Sequence, residues 1–490
     1  MYSLIVSVLA LLLGYFLYGR LVEKIFMPEP ERVTPALAHT DGIDFVPMPT
    51  WKVFMIQFLN IAGTGPIFGA IMGAKFGPAC YLWIVFGCIF AGAVHDYLSG
   101  MLSVRSGGKS LPNLVGHFLG KVARNVMLLF TVLLLLLVGT VFVYSPALIL
   151  GDMTGDGSTS FIMIWVVVIF IYYIVATLLP VDKLIGRLYP IFAFALLFMA
   201  MALMVCLFVK WPSIPEIWDG LGNRGPSIGM NGQSIFPCLF ITVACGAISG
   251  FHSTQSPIMA RCIRNEKYGR PVFYGSMITE GVVALVWAAV SSYFFFDGGA
   301  EAVGSNLSAS APVVVTKVSE NWLGLVGGIL AILGVVAAPI TSGDTAFRSL
   351  RLTIADSLKI DQKSRKHRLY VAIPIFVVAM GLLYFNIKHE DGFNLLWRYF
   401  GWANQTLATI VLWAVATYLA ARQKGPSYLV AMIPAMLMTV VVVSYICMEK
   451  IGFNLPYTLS VAIGIVLAAA FTALFYRRKA LHLTDANIEG

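Results

Sequence analysis

The stretch Asn60-Ile61-Ala62-Gly63-Thr64-Gly65-Pro66-Ile67-Phe68-Gly69 lies inside an apolar segment long enough to cross a bilayer, yet it contains three glycines and a proline within seven positions. A helix broken at that depth is tolerated only where the freed backbone faces protein or a water-filled cavity. A second stretch of the same kind follows five spans later: Thr242-Val243-Ala244-Cys245-Gly246-Ala247-Ile248-Ser249-Gly250-Phe251-His252-Ser253. An offset of five reverses the direction of crossing, so the two breaks predict an inverted repeat with paired discontinuous helices and a substrate site at the midplane. Freed N–H groups at a half-helix N-terminus favour an anionic group. A third stretch, Ala337-Ala338-Pro339-Ile340-Thr341-Ser342-Gly343-Asp344-Thr345, stacks hydroxyls and a carboxylate at one level.

Outward from these segments, the 490 residues are 59% apolar and 12% charged, with a mean hydropathy of +0.83. Soluble enzymes and nucleic-acid binders are excluded by that balance, and the expected partners are the lipid bilayer and, from the paired breaks, a small-molecule substrate. At about 20 residues per crossing, spans are predicted at 2–22, 51–73, 79–104, 125–150, 161–180, 188–209, 235–258, 272–296, 322–347, 369–387, 394–421, 427–448 and 455–476. The fold class is therefore an all-α polytopic membrane protein with about 13 transmembrane helices. Of the 33 Lys and Arg, only Lys75, Lys210, Arg224, Lys317, Lys388, Arg398 and Lys450 fall on one side, leaving 26 on the other. Cytoplasmic loops hold the positive excess, so the N-terminus is expected outside and the C-terminus inside. No connecting loop is long enough to fold alone, and residues 1–490 read as one transmembrane domain. Seven cysteines without a C-x-x-C pair suit neither a disulfide framework nor a zinc site.

The blocks I-A-G-T-G-P from Ile61, A-G-A-V-H-D from Ala91, A-C-G-A-I-S-G-F-H-S from Ala244 and L-W-R-Y-F-G-W-A-N-Q-T-L-A from Leu395 resemble the carbon starvation protein A (CstA) family of bacterial inner-membrane transporters. That resemblance implies the amino acid–polyamine–cation superfamily and a LeuT-like core of five plus five helices in inverted repeat. Residues 51–421 would be the core, and 1–50 and 422–490 accessory. It also implies ion-driven uptake of peptides or, in some members, pyruvate.

Ionisable groups inside spans are costly and are functional candidates by default. His95 and Asp96 in span three, His252 in span seven, Glu280 in span eight and Asp344 in span nine are the candidates for ion coupling. Asp344 ranks first: with Thr341 and Ser342 it is expected to join freed carbonyls around Ala62 and Gly63 in an oxygen cage. Such a cage suits Na⁺, and a carboxyl that gains and loses a proton suits H⁺; the resemblance favours H⁺. The expected substrate contacts are Ala62, Gly63, Thr64 and Gly65 in the first break, Cys245, Gly246 and Ser249 in the second, and the amides of Asn404 and Gln405 in span eleven. Trp51, Trp83 and Trp322 read as interface residues. No metal or organic cofactor is implied. An enzyme is disfavoured: His389-Glu390 is followed by Phe393 where H-E-x-x-H requires histidine, and no G-x-S-x-G occurs. A channel and a transporter-like sensor are the remaining rivals.

Overall fold

The computed structural model describes residues 1–155, 158–178, 181–228, 233–296, 311–362, 364–389, 392–423 and 425–480. All regular structure among them is helical. The chain opens with α1 (Tyr2–Phe16) and α2 (Tyr18–Phe26), then runs through α3 (Thr50–Ile61), α4 (Thr64–Ala74), α5 (Ala79–Gly87) and α6 (Ala93–Arg105). Helices α7 (Lys121–Thr154), α8 (Thr159–Leu178) and α9 (Val181–Lys210) complete the first half. The second half holds α10 (Phe240–Thr242), α11 (Gly250–Ala260), α12 (Gly275–Phe296), α13 (Ala311–Leu358), α14 (Arg365–Lys388) and α15 (Gly392–Arg422). It is followed by α16 (Leu429–Met448) and α17 (Tyr457–Ala480).

Ten of the described helices are long and apolar enough to cross a membrane, and the bent pair α3–α4 makes eleven. They account for eleven of the thirteen expected spans. The other two are span seven, cut into short helical pieces, and span nine, which lies within α13; α13 is interrupted at Gly324 (φ +59°, ψ −166°). The side chains of 325–333, part of that span, lie outside the described residues. Predicted boundaries otherwise agree to within a few residues.

Burial separates inner from outer helices. The apolar windows of Ala79–Arg105, Glu266–Phe296 and Leu395–Arg422 are about 80% buried (78%, 83% and 83%), whereas those of Tyr2–Phe26, Thr159–Thr177 and Tyr457–Lys479 are 28%, 28% and 22% buried. With a uniformly apolar surround there is no gain in hiding leucine from lipid. The outer helices therefore stay apolar all round, and the inner ones carry the polar residues. Both broken elements lie among the inner helices: α4 packs on α12, α11 on α6 and α15, and α13 on α3, α7 and α9.

Candidate functional site

The first break falls where expected. α3 ends at Ile61, Ala62 leaves the helical region (φ −84°, ψ +48°) and α4 starts at Thr64, bent by 47°. The second runs from Val243 to Ser249, between α10 and α11. The two touch: a Cβ on Gly65 would lie 2.3 Å from Cys245 Sγ, so only glycine lets the breaks meet. Likewise a Cβ on Gly92 would lie 2.2 Å from the Ala247 carbonyl oxygen, which sets how closely span three approaches the second break. A single π-helical turn at Cys88–Gly92 precedes α6; such bulges rotate the residues after them relative to a regular helix.

His95 and Asp96 lie just beyond that turn. Asp96 accepts from both histidines, Oδ1 from His95 Nδ1 at 2.8 Å and Oδ2 from His252 Nδ1 at 2.8 Å. His252 Nε2 stands 3.4 Å from Glu280 Oε2, and Glu280 Oε1 accepts the amide of Gly246 at 3.1 Å. All four side chains are fully buried. Spans three, seven and eight are thus joined by one chain, His95–Asp96–His252–Glu280, that ends on the second break. The sequence places His95 and Asp96 together in span three but gives no sign that His252 and Glu280, from spans seven and eight, join them.

Asp344 stands elsewhere. Its Oδ2 accepts from the Tyr189 hydroxyl at 2.7 Å, and that tyrosine also contacts the Thr341 carbonyl at 3.0 Å. Ser342 does reach the first break, donating toward the carbonyls of Leu59 and Asn60 at 3.2 Å each. Thr341 donates within its own helix to Ala337 and Ala338. The expected cage of Thr341, Ser342 and Asp344 around Ala62 and Gly63 is therefore not assembled. Residues two apart on a helix differ by about 200° in direction, so Ser342 and Asp344 cannot face the same neighbour.

The amides of span eleven also differ from expectation. Asn404 Oδ1 accepts the Phe251 amide at 2.6 Å and the Ser249 hydroxyl at 3.1 Å, capping the N-terminus of α11. Gln405 Nε2 donates to the Phe240 carbonyl at 3.2 Å. Both side chains satisfy backbone freed by the break and are not presented to a cavity; N–H groups expected to meet an anionic ligand are taken by Asn404 and Glu280. Trp83 is 6% exposed and donates to the Val243 carbonyl at 3.0 Å, so it braces the break and is not an interface residue.

A cleft of about 200 Å³ leads to the breaks. Gly65, Ala244 and Cys245 form its floor, Phe68, Trp397, Phe400 and Tyr445 its walls, and Arg398 and Glu449 stand among its polar lining. On α3 and α4, outside the lining of the cleft, Gln57, Asn60 and Thr64 are fully buried, and their side-chain N and O atoms have no hydrogen-bond partner among the described residues. At the opposite end of these helices a wider cleft of about 660 Å³ is lined by Ser106, Lys109, His117, Arg261 and Asp356, and a buried ion pair ties the helix ends together. Buried Arg105 bonds both oxygens of Glu266 at 3.2 and 3.1 Å, donates to the Met27 carbonyl at 2.6 Å and to the Tyr418 hydroxyl at 3.3 Å, and lies over the Phe26 ring. Nothing in residue type or spacing announces Tyr189, Trp83 or the Arg105–Glu266 pair, since each partner lies more than 150 residues away.

The family model described as carbon starvation protein CstA matches residues 1–164, 152–323 and 306–445. A peptide transporter CstA of Campylobacter jejuni is 26% identical, the match covering 90% of this chain and 78% of that one. That of Escherichia coli is 25% identical, with 89% and 79% covered. An uncharacterized membrane protein of Haemophilus influenzae is 46% identical over 59% of this chain and 90% of its own. Among solved structures, the manganese transporter of Eremococcus coleocola superposes with a TM-score of 0.57 at 13% identity, covering 90% of this chain and 99% of that one, a likeness of fold.

Proposed function

Since the chain belongs to the carbon starvation protein CstA family, and several of its matched relatives are peptide transporters, we propose that it is a secondary active importer of short peptides, with small organic anions such as pyruvate as the second substrate class. The observation that carries this reading is the cleft that ends on both helix breaks, with the buried Arg105–Glu266 pair tying the helices together at the far end. A cleft that stops at the breaks suits one of the two states of alternating access, and a channel would need a continuous path. In the topology read from the loop charges the cleft opens outward and that pair lies at the cytoplasmic face of a bacterial inner membrane. Thirteen spans with a LeuT-like inverted-repeat core complete that reading.

Arg398 and Glu449 set opposite charges in the same cleft, which suits the carboxylate and ammonium of a zwitterionic peptide. The unsatisfied amides of Gln57 and Asn60 on α3, which ends at the first break, suit its backbone, since buried polar groups without partners are costly until a ligand supplies them. We assign the coupling proton to Asp344, a fully buried carboxyl with one oxygen on Tyr189 and the other unpartnered among the described residues. The chain His95–Asp96–His252–Glu280 rearranges with span seven as the site changes sides. Na⁺ coupling is the second reading, favoured by Ser342 over the carbonyls of Leu59 and Asn60.

The test is uptake of a labelled dipeptide and of labelled pyruvate into proteoliposomes, with an inward H⁺ or Na⁺ gradient imposed separately. Accumulation of the dipeptide above equilibrium under the H⁺ gradient is expected. Binding without accumulation under either gradient would replace the importer with a sensor.

A further inference from the structure

Cys245, His252 and Glu280 converge at the second break: one ligand atom from each, Sγ, a ring nitrogen and a carboxylate oxygen, lies within 4.8 Å of the others, and all three residues are buried. We propose that this cluster binds a divalent transition-metal ion of the zinc and cobalt class. It is the only group of three such residues among the described ones that meets this geometry.

Three observations support it. First, a carboxylate only accepts, so Asp96, bonded to Nδ1 of both histidines, draws the proton of a neutral His252 to Nδ1 and turns the Nε2 lone pair toward Glu280. Nε2 and Glu280 Oε2 are both buried and have no hydrogen-bond partner among the described residues. Two such atoms facing each other in a buried site need a proton or a metal ion between them. Second, their separation is 3.4 Å. A charge-assisted hydrogen bond would draw them to about 2.7–2.9 Å, whereas metal–ligand bonds of about 2.0–2.3 Å in a tetrahedron put neighbouring donor atoms about 3.3–3.6 Å apart. Third, the surroundings are those of a metal ligand set. A ligating histidine commonly donates its other ring N–H to a carboxylate, which fixes its orientation; Asp96 does this for His252, with His95 behind it. The second oxygen of Glu280 is held by the Gly246 amide, and the Asn404 amide nitrogen lies 3.8 Å from Cys245 Sγ. Mixed thiolate, imidazole and carboxylate donors select zinc-like ions over Mg²⁺ or Ca²⁺.

Three protein ligands leave a fourth position for water or a substrate donor, and Cys245 is also part of the floor of the cleft. This inference does not depend on which substrate is carried: metal binding is read in detergent without transport. It departs from the sequence-based expectation of no metal, because Cys245 and His252 share a break and not a ligand-spacing motif, and Glu280 comes from another helix.

Full-length protein, stripped with chelator and repurified, would be titrated with Co²⁺ alone. The expected result is one equivalent bound, with a thiolate-to-cobalt charge-transfer band and the visible bands of a four-coordinate ion. Cys245→Ser should abolish the charge-transfer band, His252→Ala should abolish binding, and Asp96→Asn should weaken affinity by about 10–100-fold. Cys447→Ser, a thiol outside the cluster, should leave the spectrum unchanged. Monodispersity on size exclusion checks that each variant is folded. No stoichiometric band in the folded wild-type protein, or a thiolate band that persists in Cys245→Ser, would overturn the proposal. Gradient-driven uptake by metal-free wild-type protein would show that the site is not part of transport while leaving the importer reading in place.

Discussion

At the scale of single residues, the side chains that matter are those whose neighbours leave them little choice. Asp344 makes no salt bridge among the described residues, and Arg348, one turn along α13, acts on it only from longer range; one oxygen accepts from Tyr189 and the other has no hydrogen-bond partner among them. A carboxylate desolvated in this way is costly, and a proton or a bound cation relieves that cost. Asp344→Asn keeps the volume and the acceptor for Tyr189 but cannot exchange a proton. It should abolish accumulation above equilibrium while leaving exchange of internal for external substrate intact, measured by counterflow in proteoliposomes. Full accumulation by this variant would remove Asp344 from the coupling step. Gly65 is decided by contact instead of charge. A Cβ there would overlap Cys245, with 2.3 Å to Sγ and 2.5 Å to Cβ. Overpacking of this kind costs about 1–3 kcal/mol, so Gly65→Val should weaken substrate binding by about tenfold or more. Equilibrium binding of a labelled dipeptide to protein in detergent checks this, and unchanged affinity would separate the first break from the site.

Among elements, the two broken helices are held open by side chains from intact ones. Asn404 caps α11, Gln405 takes a carbonyl of α10, Trp83 takes that of Val243 and Ser342 takes those at the end of α3. Each freed backbone group at membrane depth would otherwise cost several kcal/mol, so the breaks belong to the packed structure and are not local unwinding. The tie at the far end is a separate device. Arg105 and Glu266 have side-chain exposures of 1% and 0%; removing one partner of a buried pair costs up to about 3–5 kcal/mol, a cost lowered here by Glu29, whose carboxylate lies 3.6 Å from Arg105. Glu266→Gln should raise amide hydrogen exchange around Arg261–Tyr268 and at Met27, and lower the midpoint of thermal unfolding, with the segment around Ile235–Leu239 at the cleft unchanged. Equal protection in variant and wild type would show that this pair does not hold the far end together.

Over the whole molecule, the loop charges predict that the end carrying Arg105, Arg261 and Glu266 faces the cytoplasm. Reporter fusions check it: green fluorescent protein joined after Tyr476 should fluoresce, and alkaline phosphatase joined there should be inactive; the reverse pattern would invert the cleft and its direction of access. Composition and hydropathy by themselves determined a polytopic helical membrane protein and most helix boundaries, because a chain in lipid must satisfy its backbone within each segment. Two of the three glycine and proline clusters likewise marked where the helices break, since those residues act locally on φ, ψ and the N–H, whereas the third, 337–345, stays helical within α13, which is interrupted only at Gly324. Only the tertiary structure decided what the breaks meet. Asp96 finds His252 across 156 positions, His252 faces Glu280 from another helix, and Asp344 turns to Tyr189 while Ser342 alone reaches the first break. Periodicity tells which residues share a face of one helix, but the rotation of that helix about its axis, and the partner it then meets, is set by packing against the others.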